Sequence, residues 1–72
     1  MTLREALELL SNDELEALMQ EHIDWESEQM VPDTAQLRVY AKAHLEVDNA
    51  IQMDRVAAEA FRVYALRAAG MR

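Results

Sequence analysis

Cysteine is absent from the 72 residues. That removes a disulfide scaffold, a thiol nucleophile and a thiolate zinc site, and it suits a reducing compartment. A single glycine, Gly70, and a single proline, Pro32, leave almost no turn material, which excludes sandwiches, barrels and other sheet architectures. The same scarcity rules out a glycine-rich phosphate loop. Apolar runs are short, well below the roughly 20 residues a membrane-spanning helix needs. The opening residues include Arg4, Glu5 and Glu8 and hold no leader-like apolar core, so the chain is expected to stay where it is made, in the cytoplasm. Basic residues are also scarce: seven Lys and Arg stand against 14 Asp and Glu, a net charge of −7. Such a surface lacks the cations that displace counterions from a nucleic-acid backbone.

What remains is a helical vocabulary, with 51% apolar residues but only 6% aromatics, namely Trp25, Tyr40, Phe61 and Tyr64. Thr2 with Glu5 three residues on has the spacing of a capping box, and Leu3, Ala6, Leu7 and Leu10 follow at helical intervals. Ser11 and Asn12 interrupt, and Asp13 and Glu14 provide the acidic first turn of a second helix. Its apolar stripe runs through Leu15, Leu18, Met19, His22 and Trp25 to about Met30. Val31, Pro32, Asp33 and Thr34 form the strong breaker, since Pro32 biases Val31 away from helical angles. A third helix then meets no glycine or proline until Gly70, with Arg67 and Arg72 near its negative end.

The expected architecture is therefore all-α and one domain over 1–72, with helices over 2–10, 12–30 and 34–69. It is a helical hairpin with a short N-terminal helix and a long C-terminal one. The third helix spans about 54 Å and the second about half of that, at 1.5 Å per residue. Over its first half the third helix has one apolar face, through Leu37, Tyr40, Ala41, His44, Val47 and Ile51. Its second half is apolar nearly all round, and such a helix wants burial on all sides. A short first helix covers little of it. A second copy of the chain is the expected solution, a homodimeric helical bundle self-associating through Val56, Ala57, Ala60, Phe61 and Tyr64.

Two constellations carry candidate chemistry. His22 and Glu26, and likewise His44 and Asp48, lie four apart and so share a helix face. The two pairs fall at nearly the same level of the hairpin, and two imidazoles flanked by carboxylates are a conceivable divalent-ion site. The Glu-x-x-His of carboxylate-bridged di-metal bundles is missing, because Met19 and Ala41 stand three residues before the histidines. Boundary histidines bonded to a carboxylate one turn away are the expected role, with no cofactor and no bound metal. Ser11 and Ser27 sit on no strained elbow, and a small helical hairpin offers no deep pocket, so no enzymatic activity is expected.

The second constellation is acidic. Residues 1–33 contain ten acids and Arg4 as their one base, whereas residues 34–72 contain six bases and four acids. Glu14, Glu21, Asp24 and Glu28 recur at helical spacing on the second helix, beside Trp25, an amphipathic residue suited to anchor an interface. The acids also bar this helix from reading DNA in a helix-turn-helix, because phosphates repel them. A solvated face keeps a small protein soluble. The functional expectation is a patch for a basic protein partner, formed by Glu14, Glu21, Asp24, Trp25 and Glu28. These features suit an adaptor or inhibitor that binds and blocks another protein, of the kind found among phage or bacterial accessory proteins acting on a host factor. The expected partners are a second copy and a basic protein surface, with neither nucleic acid nor membrane.

Overall fold

Capping chemistry fixes where the helices begin. The computed structural model describes residues 1–28, 32 and 34–70, in which four helices follow one another: α1 (Leu3–Glu8), α2 (Asn12–Glu28), α3 (Gln36–Leu45) and α4 (Ala50–Ala68). Met30, Val31, Asp33 and Arg72 lie outside the described residues. At α1 the Thr2 hydroxyl accepts the Glu5 N–H at 3.1 Å, and the Glu5 carboxylate accepts the Thr2 N–H at 2.8 Å. Ser11 and Glu14 repeat this reciprocal box at α2, at 3.2 and 2.9 Å. Each box satisfies two backbone donors that a helix N-terminus would otherwise leave open. The bonded N–H groups of Thr2 and Ser11 hold the Glu5 and Glu14 carboxyls below the ordinary carboxylate value.

The single third helix expected over 34–69 is instead two helices. α3 stops at Leu45, and the chain turns through 46–49 before α4 begins at Ala50. Glu46 adopts a φ of 74°, a left-handed value that costs a side-chain-bearing residue. Asn49 caps α4, its side-chain oxygen accepting the Gln52 N–H at 2.9 Å. Asp48 is tied back to α3 by Arg38 at 3.4 Å. The turn is thus held by polar side chains, without the glycine or proline that usually marks one. Gly70, also at positive φ, ends α4 as expected of a C′ residue.

This break changes what the C-terminal helix can touch. α4, about 28 Å long at 1.5 Å per residue, packs against α1, α2 and α3 together. Its buried positions are Met53, Val56, Ala57, Ala60 and Val63, spaced three or four apart so that they share one broad face. Leu3 and Leu7 from α1, Leu15 and Leu18 from α2, and Leu37 and Ala41 from α3 close over that face. Ala57 and Ala60 let neighbouring backbones approach closely. Each fully buried large apolar side chain contributes about 1.5–3 kcal/mol, so the leucines and valines of this cluster supply most of what a small domain has to draw on. Val56, Ala57 and Ala60, expected to meet a second copy, are consumed in this core. The deficit that called for a second copy arose from an unbroken helix outrunning its neighbour, and the turn at 46–49 removes that geometry.

Polar ties reinforce the wrapping. Arg67 of α4 donates to the Glu8 carbonyl at 2.8 Å and to the Asn12 side chain at 3.0 Å, closing the end of α1 and the start of α2 with one guanidinium. Arg4 of α1 pairs with Glu59 of α4, and that bond, with Arg62 and Arg55 nearby, holds the Glu59 carboxyl below its ordinary value. The turn offers a direct check. Replacing Glu46 with Gly should raise the urea midpoint by the equivalent of about 0.5–1 kcal/mol, because glycine reaches positive φ without strain. Replacing it with Val should lower the midpoint. A Gly variant less stable than the parent would contradict a strained turn at this position.

Candidate functional site

The wrapping covers α4 on the sides of α1 and α3 but leaves an open groove between α2 and α4. The groove encloses about 1080 Å³. Its α2 wall carries Glu16, Met19, Gln20, His22, Ile23 and Glu26, and its α4 wall carries Asp54, Ala57, Ala58, Phe61, Arg62 and Ala65. Helical spacing explains the arrangement. Residues 16, 19, 20, 23 and 26 follow one stripe of α2 next to its core stripe, and 54, 57, 58, 61 and 65 do the same on α4. Ile23 is 54% exposed and Phe61 62% exposed, two large apolar groups facing water where alanines leave room between the helices.

The rim is polar and organised. His22 bridges the two walls, with Nε2 2.9 Å from Asp54 Oδ1 on α4 and Nδ1 3.4 Å from Glu26 Oε1 on its own helix. Its ring meets Trp25 edge-on, with centroids 5.8 Å apart. At the other end the Tyr64 hydroxyl donates to Glu16 at 2.8 Å, and that acceptor carboxylate raises the Tyr64 phenol above its ordinary value. Both bridges span α2 and α4.

The acids expected to form a partner patch have divided roles. Glu14 caps its own helix, as described above. Glu21 is a structural residue: its two carboxylate oxygens accept the backbone N–H groups of Gln36 and Leu37, each at 3.0 Å. The N-cap of α3 is Ala35, whose methyl group accepts no hydrogen bond, and Glu21 supplies that function from α2. Asp24 accepts a bond from Gln20 at 3.0 Å and, like Glu28, is exposed on α2. Trp25 is half-buried and packs against the core cluster.

The remaining candidates are dispersed. Of the expected self-association residues, Phe61 alone is exposed, Tyr64 is half-buried, and the other three are in the core. The four side chains considered for a metal are not brought together. His22 meets Glu26 and Asp54, Asp48 meets Arg38, and His44 stacks on Tyr40 at a centroid distance of 5.9 Å. Among the described residues, no group of three or more His, Cys, Asp or Glu side chains is arranged to hold an ion. No helix of the described residues is long and apolar enough to cross a membrane.

The groove is the feature that sequence reasoning missed. Met19 and Phe61 read as apolar packing positions, Ile23 falls outside the apolar stripe of α2, and only the placement of α4 brings Ile23 and Phe61 to one groove. Glu21 was equally hidden, because its bonds lie 15 and 16 residues along the chain. Its role makes an expectation. Glu21→Ala should cost about 1–2 kcal/mol, as loss of a helix cap does, and should reduce helicity at α3. Asp24→Ala and Glu28→Ala should stay within about 0.5 kcal/mol of the parent, as surface changes do. Equal losses at all three positions, read by urea denaturation, would contradict the capping role. The chain matches no model of a known protein family, no curated protein and no solved structure.

Proposed function

We propose that this protein is a small acidic interaction module that binds a basic surface of another protein and blocks it. The observation that carries this reading is the combination of a strongly acidic α2 with an open groove that its Glu16 and Glu26 help to line. α2 contains Asp13, Glu14, Glu16, Glu21, Asp24, Glu26 and Glu28 and no Lys or Arg. Beside it runs an open groove with exposed Ile23 and Phe61. Repulsion among acids three and four residues apart works against the helix by a few tenths of a kcal/mol per pair. A basic partner relieves that repulsion on binding and is steered toward the site by the field of the helix.

Several bases are meanwhile used within the chain. Arg4 and Arg62 meet Glu59, Arg38 meets Asp48, and Arg67 closes the α1–α2 junction. Cationic groups are thereby tied to the scaffold, while the acids of α2 are mostly turned to solvent. Of the residues expected in a homodimer contact, Val56, Ala57 and Ala60 are buried within the chain and Phe61 is exposed.

The test uses the full chain as bait in an extract of its native host, with Asp24→Lys and Glu28→Lys combined as the control. Glu21 is left intact because it caps α3. The expected result is a basic protein retained by the parent, released as salt rises, and lost in the double variant while its circular dichroism is unchanged. Retention that ignores both salt and charge reversal would return the acids to a purely solubilising role.

A further inference from the structure

We infer that the groove between α2 and α4 receives the apolar stripe of a cationic amphipathic helix contributed by the partner. The inference rests on the acidic-module reading and goes beyond it by naming the site and the kind of segment that fills it. The groove floor is apolar, with Met19, Ile23, Ala57 and Phe61 among its lining residues. Along α4 the lining runs from Asp54 to Ala65, about 16 Å at 1.5 Å per residue, the length of three helical turns. Two neighbouring helices with alanines between them form the seat into which a third helix packs, ridges into grooves. Met19 adds an adaptable contact surface.

Charge selects among the possible occupants. Of the charged groups lining the groove, Glu16, Glu26 and Asp54 are acidic and Arg62 is basic. Glu16 accepts from the Tyr64 hydroxyl, and Asp54 and Glu26 both meet His22. A helix with Leu-like residues at intervals of three and four and Lys or Arg on its flanks matches both the floor and the rim. A second copy of this chain matches the floor but brings another net −7 to the same rim. An extended peptide is a poor occupant, because two helices offer no free backbone edge and its own N–H and C=O groups would go unpaired over an apolar floor. A helix satisfies those groups internally.

The probe is a synthetic peptide of leucine and lysine, about 14 residues long, with leucine at positions i, i+3, i+4 and i+7 and lysine elsewhere. Its comparators are a scrambled peptide of the same composition and a version with glutamate in place of lysine. Trp25, the one tryptophan, reports binding because its ring touches His22 on the groove wall. The lysine amphipath should bind saturably at one per chain, the scrambled peptide at least about tenfold more weakly, and the glutamate peptide not at all. The deciding variants are Phe61→Asp and Ile23→Asp, at exposed positions where folding is not at stake. Each adds negative charge, so attraction by charge alone would tighten, whereas docking on the groove floor should weaken at least about tenfold.

Tighter or unchanged binding in both variants, or equal binding of the scrambled peptide, would overturn the groove and leave the acidic-module reading standing. Failure of every cationic peptide to bind at low salt would count against both. A parent that sediments as a dimer without peptide, and that Phe61→Asp converts to monomer, would assign the groove to a second copy and overturn the inference.

Discussion

Burial of α4 by the three helices before it is the constraint on which the rest of the structure depends. α4 is apolar on much of its circumference, and 72 residues leave few ways to cover it. The turn at 46–49 is what makes coverage within one chain possible. It divides a long helix into a ten-residue α3 and a nineteen-residue α4, and α4 then lies against all three neighbours. Strain at Glu46 is tolerated because Val56, Ala57, Ala60 and Val63 become buried. Local conformation yields here to packing, as is common where several buried side chains outweigh one unfavourable φ.

The polar contacts follow the same logic of linking distant parts of a small chain. Glu21 begins α3 from α2, Arg67 closes α1 and α2 from α4, and His22 and Tyr64 bridge the two walls of the groove. Exposed pairs of this kind add little energy individually. The buried face sets how α2 and α4 meet and therefore which side chains remain outside, and these bonds accompany it. Ile23 and Phe61 are exposed as a consequence of that setting. Glu16 and Glu26 of α2 and Asp54 of α4 line the wet apolar groove, so apolar and acidic groups meet there.

Much of this was legible in the sequence, and the exceptions have physical causes. Thr2 with Glu5 and Ser11 with its acidic neighbours announced α1 and α2, because a helix N-terminus is satisfied by side chains within three residues. Leu15, Leu18, Leu37 and Ala41 were readable as core from their spacing. The turn was not read, although Asn49 with Gln52 three residues on carries a capping signal, because glycine and proline are absent there and Glu46 is an unusual residue at positive φ. An unbroken helix would leave Val56, Ala57 and Ala60 short of neighbours, and the turn lets the chain's own helices bury them. Glu21 and the groove were illegible for a different reason. Their meaning depends on which helices become neighbours, and helical periodicity assigns a residue to a face without saying what lies opposite.

Native-state hydrogen exchange tests this account most directly, since it asks whether one chain completes its own core. The amides of Val56, Ala57, Ala60 and Val63 should be among the slowest to exchange, opening only with global unfolding. Their protection should be the same in dilute and concentrated solution. Protection at these positions that rises steeply with protein concentration would mean that a second copy supplies the missing burial, and would contradict the wrapping of α4 by its own three helices.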